Sequence, residues 1–370
     1  MDQWTQTSKQ AQDYLFRRMD KEGYYIPHQA IYGFAPYRVL QFCEIQTFLS
    51  CLDNLSFNSF LDIGCAEGFY PRLVQVRYGA EAYGMDLSVP AVRRMWEYNH
   101  IEGICGDAQD IPVKDKAFDV VVCNDMIEHV TEPQKVISEL MRIARKHLFI
   151  GVPLAFSKRE IEEFKPDLNA ERDQHVHIFT PESFRQILPA DNKITLHYSR
   201  SLPVLLLNAL YKRSLGRIGN FMPLVKIMLN FDRGLSGSER QMPTHAFAHI
   251  NLCGDDVANH NSPFIKEGAR GIFIPPSRFL LKDIYRINKE ELGVKPIYWD
   301  VKDSFEWRGY HIKSSESPPT RTKVSENVLN FLACPKCKSE VKQENSVILC
   351  PACDVRYSSW DSIPIMQILD

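Results

Sequence analysis

The chain has 370 residues, a net charge of −2 and a hydrophobic content of 44%, with a pI near 6.6. This length is enough for two domains and a sizeable core, and the near-neutral charge gives no overall reason to expect a nucleic-acid partner. The polar N-terminus and the short apolar runs predict neither a secretory signal nor a transmembrane segment. Six of the ten cysteines are isolated in the sequence. This is the pattern of reduced thiols, so we expect a cytoplasmic protein.

The first 58 residues predict a helical lid ahead of the first strand. Residues 3–21 have the pattern of a polar helix, residues 23–37 are rich in aromatic side chains, and residues 39–52 predict a second helix. The aromatic side chains fit the packing of a lid on the next domain. A place in an acceptor pocket is the alternative.

Strands and helices then alternate. Short apolar runs at 60–63, 81–87, 104–106, 118–123 and 147–152 predict buried strands, separated by helical patterns at 71–78, 90–98 and 133–146. Such alternation predicts an α/β fold with a parallel sheet and right-handed crossovers. Ser88 is the predicted N-cap of the helix at 90–98. Further helices are expected at 158–164 and from Pro181, the second with Thr180 as its N-cap. Segments 194–199 and 246–252 are candidates for two more strands.

A glycine-containing run at 60–68, Phe-Leu-Asp-Ile-Gly-Cys-Ala-Glu-Gly, is the feature around which the chain is organised. Gly64 and Gly68 allow a tight turn between a strand and a helix, which is typical of a loop that cradles a nucleotide. The spacing is not the Gly-x-Gly-x-x-Gly of dinucleotide binding. Asp86 follows at the end of the next strand, where a carboxylate can accept hydrogen bonds from two ribose hydroxyls.

These motifs, together with Gly106-Asp107-Ala108 and Asn124-Asp125, resemble the class I S-adenosylmethionine (SAM) dependent methyltransferases over residues 61–188. The resemblance implies a Rossmann-like sheet of seven strands with helices on both faces, the last two strands being antiparallel. It also implies SAM as the cofactor. By position, the methionine end would meet Asp62, Gly64 and Gly68, the ribose Asp86, the adenine Asp107 and Ala108, and the sulfonium Asn124. With their neighbours Cys65 and Leu87, these residues form the predicted cofactor site.

For the second half of the chain, the predictions depend mainly on residue composition and charge. Residues 202–242 are an insertion with two apolar helical stretches, and residues 200–240 carry a net charge of +5. We expect this insertion to be an acceptor-binding cap; a dimer contact and a membrane-surface helix are the alternatives. The predicted organisation is a lid (1–58), a methyltransferase domain (59–253), an extension of unknown role (254–312), a linker (313–325) and a C-terminal domain (326–370).

Two Cys-x-x-Cys pairs lie near the C-terminus: Cys334, Cys337, Cys350 and Cys353. Four thiolates on two turns can enclose a tetrahedral ion with no open position, so the spacing predicts a structural zinc site. Residues 328–366 resemble the small zinc-ribbon proteins that activate tRNA-, ribosome- and release-factor-modifying methyltransferases. The resemblance implies that this segment covers an exposed edge or apolar face of the catalytic domain.

The acceptor site is expected after the fourth strand. Those activators' partners carry Asn-Pro-Pro-Tyr there, whereas this chain has Asn124-Asp125-Met126-Ile127. The sequence from Asp125 to His129, with His175 and residues 180–184, instead resembles ubiquinone-pathway and glycan-tailoring O-methyltransferases and the small-RNA 2′-O-methyltransferases. The second resemblance implies a divalent ion, such as Mg²⁺, held by Asp125, Glu128, His129 and His175.

Three interpretations of these residues stay open. A divalent ion lowers the pKa of an acceptor hydroxyl, or His129 or His177 acts as a general base, or Glu128 and His129 only fix the loop. The function that follows is O-methylation of a small-molecule or sugar-containing acceptor. The alternatives are an RNA or protein methyltransferase that uses the fused ribbon as an activator, and a SAM-binding scaffold without catalysis.

Overall fold

The computed structural model describes residues 35–53, 55–155, 157–166, 175–190, 193–200, 205, 243–253 and 323–367. Most of the predicted lid lies outside these residues, as do the extension and, apart from residue 205, the predicted cap. Within the part of the chain that is described, no helix combines the length and the apolar character needed to cross a membrane.

The described elements alternate between helices and strands through the first domain. The helices are α1 (Ala35–Leu52), α2 (Phe69–Tyr78), α3 (Val89–Asn99), α4 (Pro133–Ile143), α5 (Lys158–Glu163), α6 (Pro181–Ile187) and α7 (Glu326–Phe331). The strands are β1 (Ser59–Ile63), β2 (Glu81–Asp86), β3 (Gly103–Gly106), β4 (Phe118–Asn124), β5 (Ala144–Pro153), β6 (Lys193–Ser199), β7 (His245–Asn251), β8 (Lys342–Glu344), β9 (Val347–Leu349), β10 (Arg356–Trp360) and β11 (Ile363–Met366).

All of these strands join one sheet, in the order β6-β7-β5-β4-β1-β2-β3-β11-β10-β9-β8. β1 pairs in parallel with both β2 and β4, so the strand order reverses at β1. In such sheets the crevice for a ligand opens outside the carboxyl ends of the strands at this point. β7 is antiparallel to β5 and β6. The predicted Rossmann-like α/β fold, with its last two strands as antiparallel neighbours, is therefore confirmed.

Apolar layers cover both faces of the sheet. One core contains the buried side of α4 and reaches β4 and β5, with Val136, Leu140 and Ile143 fully buried. The opposite core is formed by α1 and α2 against Phe60, Phe149 and Phe247. The predicted helix at 39–52 is thus part of α1, which packs on one face of the sheet.

Two local predictions need correction. α4 ends at Ile143, not at residue 146, because Ala144 already belongs to β5. Ser88 occupies the N-cap of α3, but its side chain makes no capping hydrogen bond. Thr180 does cap α6 as predicted, since its hydroxyl accepts the backbone N–H of Ser183 at 3.1 Å.

Residues 323–367, here called the C-terminal module, extend the sheet. β11 pairs in parallel with β3, Ile365 opposite Cys105 and Met366 opposite Gly106. The ring of Phe331, at the end of α7, lies 4.9 Å from the rings of Tyr83 and of Phe118. The module therefore covers the β3 edge of the sheet, where the sequence had indicated only some edge or apolar face, and its strands become part of the same sheet.

Candidate functional site

The turn after β1 has the backbone conformation that its glycines allow. Gly64 and Gly68 both have φ of +78°, a region that other residues adopt only with strain. A Cβ on Gly64 would lie 2.6 Å from Cγ of Met126. Ala66 also has a positive φ, +47°, although it stands where such loops often have glycine. The loop is therefore a tight backbone cradle at the carboxyl end of β1.

Asp86 ties this loop to the next strand end. One carboxylate oxygen accepts the backbone N–H of Ala66 and the other accepts the N–H of Ser88, each at 2.9 Å. These bonds hold the carboxylate at the rim of the cradle, where the remaining lone pairs of both oxygens can accept hydroxyl hydrogens. The geometry fits the predicted contact with a ribose.

Asp62 lies beneath the loop and is 2% exposed. Burial, and to a smaller extent the neighbouring charge of Asp86, raises the pKa of this carboxyl to about 8. Cys65 directs its side chain into the core, with Sγ 3.6 Å from Sδ of Met95. Only its backbone is therefore available to a ligand.

Three further residues of the predicted cofactor set, Asp107, Ala108 and Asn124, lie at the ends of β3 and β4. The carboxylate of Asp107 accepts the backbone N–H of Gln109 at 2.9 Å, which fixes the turn that contains Ala108. Asn124 ends β4 and donates from Nδ2 to Glu44 at 2.8 Å. The predicted set is thus distributed over four strand ends at one edge, and the glycine cradle with its flanking acids fits a nucleoside-containing cofactor such as SAM.

A buried polar network stands beside this cradle, and its centre is Glu44 from α1. The Glu44 carboxylate accepts hydrogen bonds from the Tyr70 hydroxyl and from Asn124 Nδ2, both at 2.8 Å, and forms an ion pair with Arg200. Sequence reasoning missed Glu44 and Arg200, which are 156 positions apart. The only available indication was a lone carboxylate in an apolar helix.

Asp125 extends the network from the end of β4 to His245 on β7. Asp125 directly follows β4 and has a φ of +48°. Its Oδ1 lies 3.0 Å from Nε2 of His245, whose side chain is fully buried. Nδ1 of His245 has no hydrogen-bond partner among the described residues, so we assign the Nε2–H tautomer, which donates to Asp125. Glu44, Asp125 and His245 form one group of side chains close enough to share a ligand.

The predicted divalent-ion site is only partly assembled. Glu128, His129 and His175 come together, with ligand atoms within 4.8 Å of one another. Asp125 does not join them and belongs instead to the group with Glu44 and His245. Glu128 is buried, and desolvation together with the charge of Asp125 raises the pKa of its carboxyl well above the ordinary value. A cation at this position would favour the charged form and relieve that cost.

His177 lies on the segment that closes this region. Its backbone N–H donates to the carbonyl of Glu128 at 3.0 Å, and burial lowers the pKa of its ring below the ordinary 6.5. A pocket of about 390 Å³ lies against His177 and His175, between the end of β5 and α5. A neutral imidazole facing such a pocket can accept a proton.

The four cysteines of the C-terminal module converge as predicted. Sγ of Cys337 lies 3.4 Å from that of Cys350 and 3.6 Å from that of Cys353, and Sγ of Cys334 lies 3.6 Å from that of Cys353. These are not disulfide distances, and all four thiols are free. A tetrahedron with metal–sulfur bonds of about 2.3 Å has sulfur–sulfur edges of about 3.8 Å. The cluster therefore fits a zinc ion.

Comparisons with known proteins bear on the first domain. Residues 61–149 match the family model described as "Methyltransferase domain". This range runs from β1 into β5 and includes the glycine cradle, Asp86, Asp107 and Asn124. That part of the chain is therefore similar to the domains that this family model describes.

Curated relatives include enzymes that methylate nitrogen and enzymes that methylate oxygen. Norajmaline N-methyltransferase of Rauvolfia serpentina is 32% identical over 120 residues, 30% of this chain and 41% of that protein. Ubiquinone biosynthesis O-methyltransferase of Bordetella parapertussis is 30% identical over 98 residues, 25% of this chain and 40% of that protein. The chain thus spans less than half the length of these two relatives.

Two solved structures with a similar arrangement are described as methyltransferases. One, from Thermotoga maritima and described as a possible histamine N-methyltransferase, has a TM-score of 0.42 at 13% identity, with 64% of this chain and 98% of that chain covered. Phosphoethanolamine N-methyltransferase 2 of Haemonchus contortus, in complex with SAM, has a TM-score of 0.41 at 16% identity, with 56% and 52% covered.

Proposed function

We propose that this protein is a SAM-dependent methyltransferase that methylates an oxygen atom of a small-molecule or sugar-containing acceptor. The observation that carries the proposal is the glycine cradle after β1 together with Asp86 at the end of β2. The Asp86 carboxylate is held by the backbone N–H of Ala66 in the cradle and by that of Ser88 in the turn after β2. It lies inside the range that matches the methyltransferase family. The mixed chemistry of the relatives makes an amine nitrogen the second candidate acceptor.

SAM, when bound, would supply a methyl group that passes from its sulfonium sulfur to the acceptor atom, the sulfur leaving as a thioether. The chain's own residues have three tasks. Gly64, Gly68 and Asp86 bind and orient the nucleoside, and Asn124, fixed by Glu44, faces the reacting end. Side chains after β4 must then take the proton that the acceptor loses.

Two arrangements can perform that proton transfer. His129 or His177 can accept the proton directly, or a divalent ion held by Glu128, His129 and His175 can lower the pKa of the acceptor hydroxyl. These interpretations are separated by measuring turnover in EDTA after the zinc content of the C-terminal module is shown to be unchanged. Full activity under those conditions would exclude the divalent ion.

The four-cysteine cluster supports a structural zinc ion and, with it, the interpretation of the C-terminal module as a zinc ribbon fused to its catalytic domain. We propose that the metal takes no part in methyl transfer, because four thiolates leave no open coordination position. Its task is to hold the module against β3.

The experiment that tests the proposed function uses methyl-labelled SAM, purified protein and a cell extract separated into RNA, protein and small-molecule or glycan pools. Label in the small-molecule or glycan pool supports the proposal, and the labelled atom decides between oxygen and nitrogen. Label in RNA or protein would replace it with the macromolecular alternative. SAM binding without label in any pool would favour a non-catalytic scaffold.

A further inference from the structure

The C-terminal module reaches the predicted cofactor cradle through one side chain. Gln367 directly follows β11, and its Nε2 donates to the backbone carbonyl of Leu87 at 2.8 Å. The same carbonyl is 3.2 Å from Sγ of Cys105 on β3, and Nε2 of Gln367 is 3.2 Å from that sulfur. One peptide of the turn after β2 is therefore held by β3 and by the module.

That peptide belongs to the turn that positions Asp86. Leu87 stands between Asp86 and Ser88, and the N–H of Ser88 donates to the Asp86 carboxylate at 2.9 Å. Through its other oxygen, Asp86 also holds the N–H of Ala66 in the glycine turn. A displacement of the Leu87 peptide therefore moves both the carboxylate and its contact with the cradle.

The backbone of the module supports the neighbouring strand end at the same time. Met366 is in register with Gly106, the last residue of β3, and Asp107 and Ala108 follow at once. The final residues of β11 and Gln367 thus contact the two segments that the ribose and the adenine would use. Neither Gln367 nor any other residue of the module was predicted to influence the cofactor site.

We propose that Gln367 is a positioning residue for the cofactor. Its amide fixes the Leu87 carbonyl, and thereby the Asp86 carboxylate, in the orientation that accepts the ribose hydroxyls. The affinity of the methyltransferase domain for SAM therefore depends on the last described residue of the C-terminal module. This inference rests on the cofactor named in the proposed function and adds a determinant that the cradle itself does not contain.

The test is a cofactor titration on the full chain with its zinc bound. Gln367→Ala removes the amide, and Gln367→Glu keeps its shape but places an oxygen where the donor stood. The matched control is Glu340→Ala, which removes a different contact between the module and the domain, the ion pair with Lys114 at 2.8 Å. Calorimetry gives the Kd for SAM, for S-adenosylhomocysteine and for methylthioadenosine, and zinc content and Tm are measured on every variant.

Both Gln367 variants should raise the Kd for all three ligands by about 3- to 10-fold, the effect of losing one structural hydrogen bond. Methylthioadenosine lacks the amino-acid end, so an equal loss for it locates the defect at the nucleoside. Zinc content and Tm should match those of the unmodified chain, and Glu340→Ala should leave the Kd within about 2-fold.

Unchanged affinity in the Gln367 variants would overturn the inference, and so would an equal loss in Glu340→Ala, which would mean that any loosening of the module weakens binding. An unmodified chain that binds none of the three ligands would contradict the proposed function as well. If the unmodified protein and the Gln367 variants bind SAM equally well, only the inference about Gln367 fails and the proposed function stands.

Discussion

Burial changes what Asp62 can do at neutral pH. In the chain without ligand, burial and the nearby charge of Asp86 raise the pKa of this carboxyl to about 8, so it holds its proton at pH 7. The folded state therefore binds a proton that the unfolded state has lost over this range. Asp62 accordingly favours folding below its unfolded pKa, and this contribution is lost as the pH rises through about 8.

We predict that SAM binding at pH 7 releases a proton from Asp62. If the ammonium group of the methionine end lies against this carboxyl, its charge favours the ionised form. Affinity should then increase as the pH rises from about 6 toward about 8, since less work is needed to remove the proton. Calorimetry in two buffers of different ionisation enthalpy counts the proton, and Asp62→Asn should abolish its release. Equal heats in both buffers would contradict the assignment.

Glu44 tests the buried network beside the cradle. Its side chain is 2% exposed and that of its partner Arg200 is 16% exposed. Glu44→Ala would leave a buried guanidinium without this carboxylate, so we expect the free energy of unfolding in urea to fall by about 3–5 kcal/mol. Glu163→Ala is the control, because its pair with Arg159 is on the surface, and it should produce no measurable change. A similar small effect of both variants would show that the network adds little stability.

The placement of Asp125 shows why site residues are harder to predict than strands. Its position one residue after β4 was evident from the apolar run, and an acid there was correctly expected at the carboxyl edge. Which neighbours it meets depends on a φ of +48° and on His245, which is 120 positions away. No spacing rule in the sequence contains that information, so the four-residue ion site stays a prediction, of which Glu128, His129 and His175 lie within 4.8 Å of one another.

At the scale of single elements, the turn between β1 and α2 contains Ala66, a residue with a Cβ at a position where such loops often have glycine. Ala66 has φ of +47°, which costs a residue with a Cβ about 1–2 kcal/mol. We predict that Ala66→Gly keeps the fold and raises the free energy of unfolding by up to about 1 kcal/mol, after the greater freedom of glycine in the unfolded chain is included.

The comparison for that change is Gly64→Ala. It combines a φ of +78° with a Cβ 2.6 Å from Cγ of Met126, so stability should decrease by about 1–3 kcal/mol. Thermal and urea unfolding give both values. Shifts of the same sign in the two variants would contradict the left-handed conformation of Ala66.

The elements themselves followed closely from the sequence, for a physical reason. β4 is buried through Cys123 and α4 buries a regular stripe, so each leaves a periodic apolar pattern that needs no knowledge of its neighbours. The pairing of β11 with β3 left no such pattern. It depends on the shape of an edge that only exists after β1 to β3 have assembled, and the sequence indicated only that some edge or face would be covered.

For the whole molecule, the four cysteines determine whether the edge at β3 stays covered. We predict that a strong zinc chelator, or Cys350→Ser, unfolds the C-terminal module, since small metal-bound folds lose their structure with the ion. The β3 edge and the rings of Tyr83 and Phe118 that Phe331 contacts would then be exposed to solvent. The Tm should fall and binding of a hydrophobic dye should rise.

Two controls belong to that measurement. Zinc added back to the chelated protein should restore the Tm, and Cys253→Ser, which changes an exposed thiol outside the cluster, should leave it unaltered. Full retention of the Tm after the metal is removed would mean that the module holds its place without zinc.

The pairing of β3 with β11 occurs within one polypeptide, and this changes the kinetics of the encounter. Association is a first-order step, so its extent does not depend on the protein concentration. The parallel pairing of β11 with β3 is short and involves only Ile365 and Met366 of β11. It can then persist at protein concentrations at which two separate subunits would dissociate. Every folded molecule carries the two halves in a one-to-one ratio, and neither can be exchanged for a copy from another complex.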